Sequence, residues 1–142
     1  MATPPSPLGS AIKVVVACLD GRRLKGFVFN FSAARDTFRL FPEETSSHTA
    51  GTDVKLTEVK AIFFVKEFSG HPEHHDHYAL KPGAHGRKLE VTFHDGEKIL
   101  GTTEAYNPKA LGFFIFPADP ESNNSRVFIV NKCVVEVKPV QA

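Results

Sequence analysis

The sequence predicts an all-β protein built from two tandem five-stranded small barrels, which a histidine-rich linker joins. The first observation is a duplication, because the segment Lys13–Gly26 is matched by the segment Lys88–Gly101 at a constant difference in residue number (88 − 13 = 75), which we call the repeat offset. The second is that apolar side chains recur at every other position of these segments, which is typical of β-strands. The third is that no segment carries the apolar stripe of period 3.6 that an amphipathic helix requires.

The duplication divides the chain into five segments. Residues 1–11 form a Pro- and Ser-rich arm that we expect to be disordered. Repeat 1 takes residues 12–68, and repeat 2 takes residues 87–139. Residues 69–86 form a linker rich in His, Gly and Pro, and residues 140–142 are a short tail.

An Asp-Gly pair follows the first apolar run of each repeat. Asp20-Gly21 and Asp95-Gly96 occupy equivalent positions. Such a pair between apolar runs predicts a two-residue hairpin turn, in which glycine supplies the positive φ. A catalytic or metal-binding role for the two aspartates is the alternative.

Three further strands complete each repeat. The third strand of repeat 1 is predicted at Phe38–Phe41, where a proline ends it, and the apolar run Val59–Val65 is the fifth. We expect the loop before the fourth strand to differ slightly in length between the repeats. With this difference, Val54 of repeat 1 corresponds to Val127 of repeat 2.

These strands and motifs resemble those of small β-barrels. The opening V-x-V-x-x-x-DG-x-x-x-x-G, which begins at Val14, is similar to the first half of an Sm-type barrel, and five short bent strands resemble the SH3-like and Sm-like families. The double pattern also resembles an uncharacterised bacterial domain sometimes found beside PilZ-type, cyclic-dinucleotide-binding domains, through the runs Phe63–Phe68 and Gly112–Pro117. The resemblance implies tandem barrels without an assigned activity.

The two repeats share an apolar interior but differ in their outward side chains. Glu90 and Thr92 point outward in the first strand of repeat 2, whereas Val15 and Ala17 take these positions in repeat 1. An apolar outer face indicates a covered surface, and the cover is either repeat 2 or a second chain in a homo-oligomer. The predicted partner interface consists of Val15, Leu19, Phe27, Phe29, Phe63 and Phe64.

Basic residues around the first turn suggest an alternative function, the binding of nucleic acid or a cyclic nucleotide through phosphate contacts. The formal net charge of +1 does not require such a partner. Repeat 2 also has Glu97 at the position equivalent to Arg22. The residues of this hypothesis are Arg22, Arg23, Lys25 and Arg35.

The linker contains a cluster of histidines with carboxylates beside them. Imidazole and carboxylate groups are good ligands for zinc, nickel or copper, so a divalent transition metal that stiffens the linker is a second alternative. A solvated polar linker is nevertheless the leading interpretation of these histidines, and a pH-sensitive hinge is a further one. The metal-ligand candidates are His71, His74, His75 and His77.

Composition and motifs favour binding over catalysis. The chain of 142 residues contains no P-loop, G-x-S-x-G, H-E-x-x-H or G-x-G-x-x-G motif. Cys18 and Cys133 lie far apart in apolar runs, as reduced buried thiols of cytoplasmic proteins do. With no signal peptide and no apolar span of roughly 20 residues, we expect a cytoplasmic protein without a membrane partner. The predicted function is a non-catalytic binding or scaffold module that needs no cofactor and acts through protein–protein contact or self-assembly.

Overall fold

A computed structural model describes most of the two repeats. The described residues are 11–29, 31–32, 35–42, 51–68, 86–104, 106–117 and 123–140. Within these ranges the regular structure consists of ten β-strands and two single-turn 3₁₀ helices, so the chain is all-β as predicted. None of the described segments forms a helix long and apolar enough to cross a membrane.

Each repeat contributes five strands. The strands of repeat 1 are β1 (Ile12–Cys18), β2 (Arg23–Val28), β3 (Thr37–Leu40), β4 (Thr52–Lys55) and β5 (Val59–Val65). The strands of repeat 2 are β6 (Arg87–Phe93), β7 (Lys98–Thr103), β8 (Gly112–Pro117), β9 (Asn124–Val130) and β10 (Val134–Pro139). The 3₁₀ turns Leu56–Glu58 and Asn131–Cys133 directly precede β5 and β10.

The two repeats have the same antiparallel strand order. Repeat 2 runs β10-β6-β7-β8-β9, and repeat 1 begins in the same way with β5-β1-β2. Its strands β3 and β4 form a separate two-stranded sheet, which a bridge between Phe27 and Phe41 links to β2 through hydrogen bonds of 2.8 and 2.9 Å. A common order of fifth, first, second, third and fourth strand is what a duplication produces.

The repeats are joined through β9 and β5 into one sheet of eight strands, in the order β10-β6-β7-β8-β9-β5-β1-β2. The antiparallel register pairs Ala61 with Ile129 and Ile62 with Phe128. No closed barrel is present in the described part of the chain. The prediction of two separate tandem barrels is therefore not confirmed, because the repeats share backbone hydrogen bonds as well as a linker.

The register shows that the repeat offset continues unchanged through the fourth strands. Thr37 pairs with Lys55 between β3 and β4, and Gly112 pairs with Val130 between β8 and β9, so both members are displaced by the same number (112 − 37 and 130 − 55). The match of Val54 to Val127 in the sequence is wrong, since Val54 corresponds to Ile129. Matching apolar runs misplaced the strand because β9 is apolar at consecutive positions, whereas Val54 is the only apolar residue of β4.

The Asp-Gly turns are three-residue turns, one residue longer than predicted. Cys18 donates its N–H to the carbonyl of Arg22 at 2.9 Å, and Gly21 has φ of 93°. No described residue other than glycine has positive φ, so Asp20 is not part of a two-residue turn with two positive φ values. The Asp20 carboxylate accepts the N–H of Arg22 at 3.0 Å, which favours a turn-forming role over catalysis.

The core is continuous between the repeats. Val14 and Val16 of β1 and Val91 of β6 are fully buried, as the alternating pattern predicts. Consecutive residues are fully buried in the two junction strands, as Ala61 and Ile62 are in β5. Strands β5 and β9 are therefore covered on both faces, since each lies in the middle of the sheet with packed side chains above and below it.

Candidate functional site

A half-buried lysine joins the two repeats at the end of the sheet where the hairpin turns lie. The Nζ atom of Lys60 on β5 is 2.7 Å from the Oδ2 atom of Asp95, and it also forms an ion pair with Glu97. The same Nζ atom lies 4.7 Å from the ring centroid of Phe93, and the Lys60 side chain is only 12% exposed. This one side chain contacts three residues of the β6–β7 hairpin.

The electrostatics of this contact favour the charged forms of both partners. Burial by itself lowers the pKa of Lys60, but hydrogen bonds to Asp95 and Glu97 outweigh burial and the pKa is raised. The hydrogen bond from Lys60 in turn lowers the pKa of Asp95, with help from the backbone N–H of Glu97. Lys60 and Asp95 are therefore both charged near neutral pH, where their ion pair connects the two repeats.

Other contacts close the junction along its whole length. Lys132 donates from Nζ to the carbonyl of Thr57 at 2.5 Å. At the opposite end the Asn123 side chain donates to the carbonyl of Glu67 at 2.9 Å and accepts the N–H of Glu67 at 3.0 Å. These hydrogen bonds connect the two repeats on both sides of the paired strands β5 and β9.

A cleft of about 300 Å³ lies beside Lys60, between the two hairpin turns. Both cysteines line it together with Leu19, whose side chain is 54% exposed. Burial is the main cause that raises the pKa of Cys18 and of Cys133, so neither thiol is activated as a nucleophile. The lining of the cleft combines this apolar surface with the polar side chains of Lys60, His94, Asp95 and Lys132.

The residues predicted as a partner interface fall into two groups. Phe63 and Phe64 are 7% and 1% exposed, because Arg23 lies over the Phe63 ring and the rings of Phe31 and Phe114 pack against Phe64. Val15, Phe27 and Phe29 are half-buried, and Leu19 is the exposed member of the set. The described structure thus leaves part of the predicted surface open.

Two of the basic residues lie on the same face of the sheet as that apolar surface. The register pairs Lys13 with Phe27 and Val15 with Lys25, and Arg23 points to the same side as Lys25 because strand side chains alternate. We call these five residues the outer face of repeat 1. The guanidinium of Arg23 lies 5.6 Å from the ring centroid of Phe63, and Lys25 donates to the carbonyl of Phe68 at 3.2 Å.

The other two basic residues do not join this face. Arg22 lies in the turn, where its Nε atom is 2.7 Å from a carboxylate oxygen of Asp20. Arg35 precedes β3, and its backbone N–H donates to the carbonyl of Ser32 at 3.3 Å. The four residues of the nucleotide-binding hypothesis therefore do not form one cluster.

An arginine between aromatic rings is a feature that the sequence interpretation missed. The guanidinium of Arg126 lies 4.5 Å from the ring centroid of Phe64 and 4.3 Å from that of Phe114, and burial lowers the pKa of Arg126. Phe31 packs edge-on against both of these rings. The composition of the segment that ends at Arg126 is typical of an exposed turn, but β9 begins within it at Asn124. The high phenylalanine content was the only signal of this cluster.

A second, open groove of about 400 Å³ lies in repeat 1, between the β1–β2 turn and the edge strand β4. We call it the repeat 1 groove. Its lining includes Cys18, Asp20, Arg22, Thr52, Asp53 and Val54.

The proposed metal ligands His71, His74, His75 and His77 lie outside the described residues, so metal binding by the linker stays a prediction. Within the described ranges, no group of three or more His, Cys, Asp or Glu side chains is arranged to hold a metal ion.

Comparison with known proteins identifies a family. The sequence profile of DUF6982, a family of unknown function, matches residues 7–141, which is nearly the whole chain. No curated protein and no solved structure matches the chain.

Proposed function

The chain belongs to DUF6982, a family of unknown function, and we propose from its own surfaces that it is a non-catalytic binding module for an acidic protein partner. The contact surface in this proposal is the outer face of repeat 1. The single observation that carries it is the β1–β2 register, which surrounds Val15 and Phe27 with the cations Lys13, Arg23 and Lys25.

The chemistry of this face suits a protein interface. Apolar side chains at the centre with charged groups around them are the usual anatomy of a contact patch, and Arg with aromatic residues is enriched there. Among the described ion pairs, one carboxylate contacts these cations: Glu67 lies 3.5 Å from the Nζ atom of Lys13. A partner that supplies carboxylates would complete the charge balance, and long-range attraction would speed its association.

Binding of a nucleic acid or nucleotide is the second candidate, and one observation favours it: Arg23 and Lys25 project from the same face. Two observations weigh against it. Arg22 is paired with Asp20, and the Phe63 ring is 7% exposed, so it offers no platform on which a base could stack.

The proposal includes the finer architecture. We propose that each repeat is a small SH3-like or Sm-like barrel unit, and the shared strand order of fifth, first, second, third and fourth supports this. The resemblance to domains found beside PilZ-type domains stays a proposal of the same kind. Two cysteines without a disulfide support a reducing compartment such as the cytoplasm.

The experiment measures binding of labelled poly-L-glutamate and of a uridine oligonucleotide by fluorescence anisotropy at low salt. Arg23→Glu with Lys25→Glu should weaken poly-glutamate binding by about tenfold or more, since two charges are reversed. Lys98→Glu is the matched control, because Lys98 occupies in repeat 2 the position of Arg23 (98 − 23 = 75). Binding of neither probe, or equal loss in the control, would overturn the proposal, and binding of the oligonucleotide alone would favour the second candidate instead.

A further inference from the structure

The repeat 1 groove has a counterpart in repeat 2 that is already filled. Adding the repeat offset to Cys18, Asp20 and Arg22 gives Phe93, Asp95 and Glu97. These are the three residues that Lys60 of β5 contacts at the junction. The residues of repeat 2 that correspond to the turn residues of the groove are therefore in contact with β5.

The strand side of the groove has the same relationship. Adding the repeat offset to Thr52, Asp53 and Val54 of β4 gives three residues of β9, each paired with a residue of β5. The internal pairs are Val127 with Phe63, Phe128 with Ile62, and Ile129 with Ala61. The groove is thus the site in repeat 1 that corresponds to the β5-binding site of repeat 2, and no strand among the described residues fills it.

The strand that corresponds to β5 is β10, and one of its edges is open. Strand β10 pairs with β6 on one side and ends the eight-stranded sheet on the other, within the residues that the structure describes. Strand β4 likewise pairs only with β3 in those ranges. Strand β10 thus corresponds to β5, and the repeat 1 groove corresponds to the site that β5 fills. The chain therefore contains a second copy of each half of its internal junction, and these two copies lie at opposite ends.

Exposed apolar side chains mark these two ends. Val135 takes the position of Lys60 (135 − 60 = 75) and is 59% exposed, and Leu19 takes the position of His94 and is 54% exposed. In the internal junction Lys60 and His94 line one cleft. Repeating that geometry would place Val135 and Leu19, which also lines the repeat 1 groove, on the walls of one cleft and shield part of their apolar surface from water.

We propose that a second copy of this chain fills the repeat 1 groove, with β10 of one copy paired antiparallel to β4 of the next. Moving each internal pair by the repeat offset places Glu136 opposite Val54 and Lys138 opposite Thr52 of the next copy. Each copy then uses its groove and its β10 once. The contact is head to tail, and it generates a ring or an open chain of copies. This proposal uses a surface other than the outer face of repeat 1.

The contact between copies is weaker than the internal junction, for two reasons. Val135 replaces Lys60, so apolar contact takes the place of the ion pairs. In addition, Val140 donates its N–H to the carbonyl of Lys88 on β6 at 2.8 Å. Since N–H groups alternate along a strand, position 139 faces the open edge, and Pro139 has no N–H to donate there. Assembly should therefore depend on concentration rather than be permanent.

The experiment is sedimentation velocity of the full chain over a wide concentration range, with single variants of each end. The wild-type protein should show a mass that rises with concentration. Leu19→Asp and Val135→Asp should each weaken association by about tenfold or more, since a charge replaces an apolar contact. Leu111→Asp is the control, because Leu111 is 40% exposed and lies in neither end. Far-UV circular dichroism checks that each variant is folded.

Mixing the two variants tests the head-to-tail direction. The Leu19→Asp copy retains an intact β10, and the Val135→Asp copy retains an intact groove, so the mixture should form a one-to-one dimer that grows no further. A wild-type mass that stays monomeric at every concentration overturns the proposal, even if another protein's strand binds the groove. A mixture that forms no dimer overturns it as well. The Arg23→Glu, Lys25→Glu variant should keep wild-type association, which separates failure of this proposal from failure of the outer-face function.

Discussion

Lys60 and Asp95 form an ion pair of 2.7 Å between side chains that belong to different repeats. Asp95 forms a hairpin turn of repeat 2, and its carboxylate also accepts the backbone N–H of Glu97 at 3.0 Å. One carboxylate therefore holds the local turn and the contact between repeats. The equivalent Asp20 of repeat 1 holds its turn in the same way but pairs with Arg22 of its own turn. The difference shows where the duplication has become asymmetric.

Replacing Lys60 should destabilise the whole chain. Lys60→Met keeps the length of the side chain but leaves Asp95 and Glu97 without their cation at a site where the lysine is 12% exposed. We expect a loss of about 1 kcal/mol in the free energy of unfolding, because the two carboxylates are 57% and 38% exposed and regain contact with water. Urea denaturation measures it. The control Lys98→Met, whose side chain is 60% exposed, should change stability by less than about 0.5 kcal/mol.

The same pair should make stability depend on pH at both extremes. The folded-state pKa of Asp95 is lowered, so its contribution is present above the unfolded pKa of about 3.9 and is lost as the pH falls through the folded value. The folded-state pKa of Lys60 is raised, so its contribution is complete below about 10.4 and is lost as the pH rises through the folded value. Melting curves of wild type and Lys60→Met should differ most between these limits and converge outside them. A constant difference at every pH would contradict this assignment.

Arg126 should contribute to stability through its rings. Its guanidinium lies within 4.5 Å of two ring centroids, and its long stem covers apolar surface between them. Arg126→Ala should cost about 1–2 kcal/mol in the free energy of unfolding. Arg35→Ala, at an exposed position, is the control and should have no measurable effect. Equal effects of the two substitutions in urea denaturation would remove the role given to the aromatic cluster.

The cysteines should react slowly with iodoacetamide near neutral pH. Burial raises the pKa of both thiols, which keeps the reactive thiolate scarce. Cys18 should be modified before Cys133, because Cys133 is 7% exposed and Cys18 is half-buried. Mass spectrometry over time gives both rates. Rapid modification of Cys133 in the folded protein would contradict the burial of its side chain.

The purified protein should hold no stoichiometric zinc, nickel or copper, since a solvated linker is the leading interpretation of its histidines. Elemental analysis of protein prepared without a histidine tag or chelator tests this. About one equivalent of metal, lost on replacing His74 and His75 with alanine, would support the metal-linked alternative.

Local features of the sequence predicted much of the fold. Alternation in β1 identified Val14 and Val16 as interior residues, and the Asp-Gly pairs located both hairpin turns. These features depend on neighbouring residues, so a single sequence reveals them. Because the chain is duplicated, the same features also predict the strands of the second repeat.

The pairing of β9 with β5 could not be predicted in the same way. Which strands become neighbours across a long stretch of intervening chain depends on packing that no local period records. A signal was nevertheless present, because both strands are apolar at consecutive positions, which indicates burial on two faces. Without knowledge of this pairing, the sequence predicts Phe63 and Phe64 as surface residues in need of a partner. Repeat 2 is that partner for β5.

The shared sheet, the filled counterpart of the groove in repeat 2 and the open repeat 1 groove all depend on the pairing of β9 with β5. The most direct measurement is a nuclear Overhauser spectrum of isotope-labelled full-length protein. It should contain cross-strand contacts between Ile62 and Phe128 and between Ala61 and Ile129, along with those of Val14 with Phe64 between β1 and β5. A spectrum that contains contacts within each repeat but none between β5 and β9 would contradict this strand pairing.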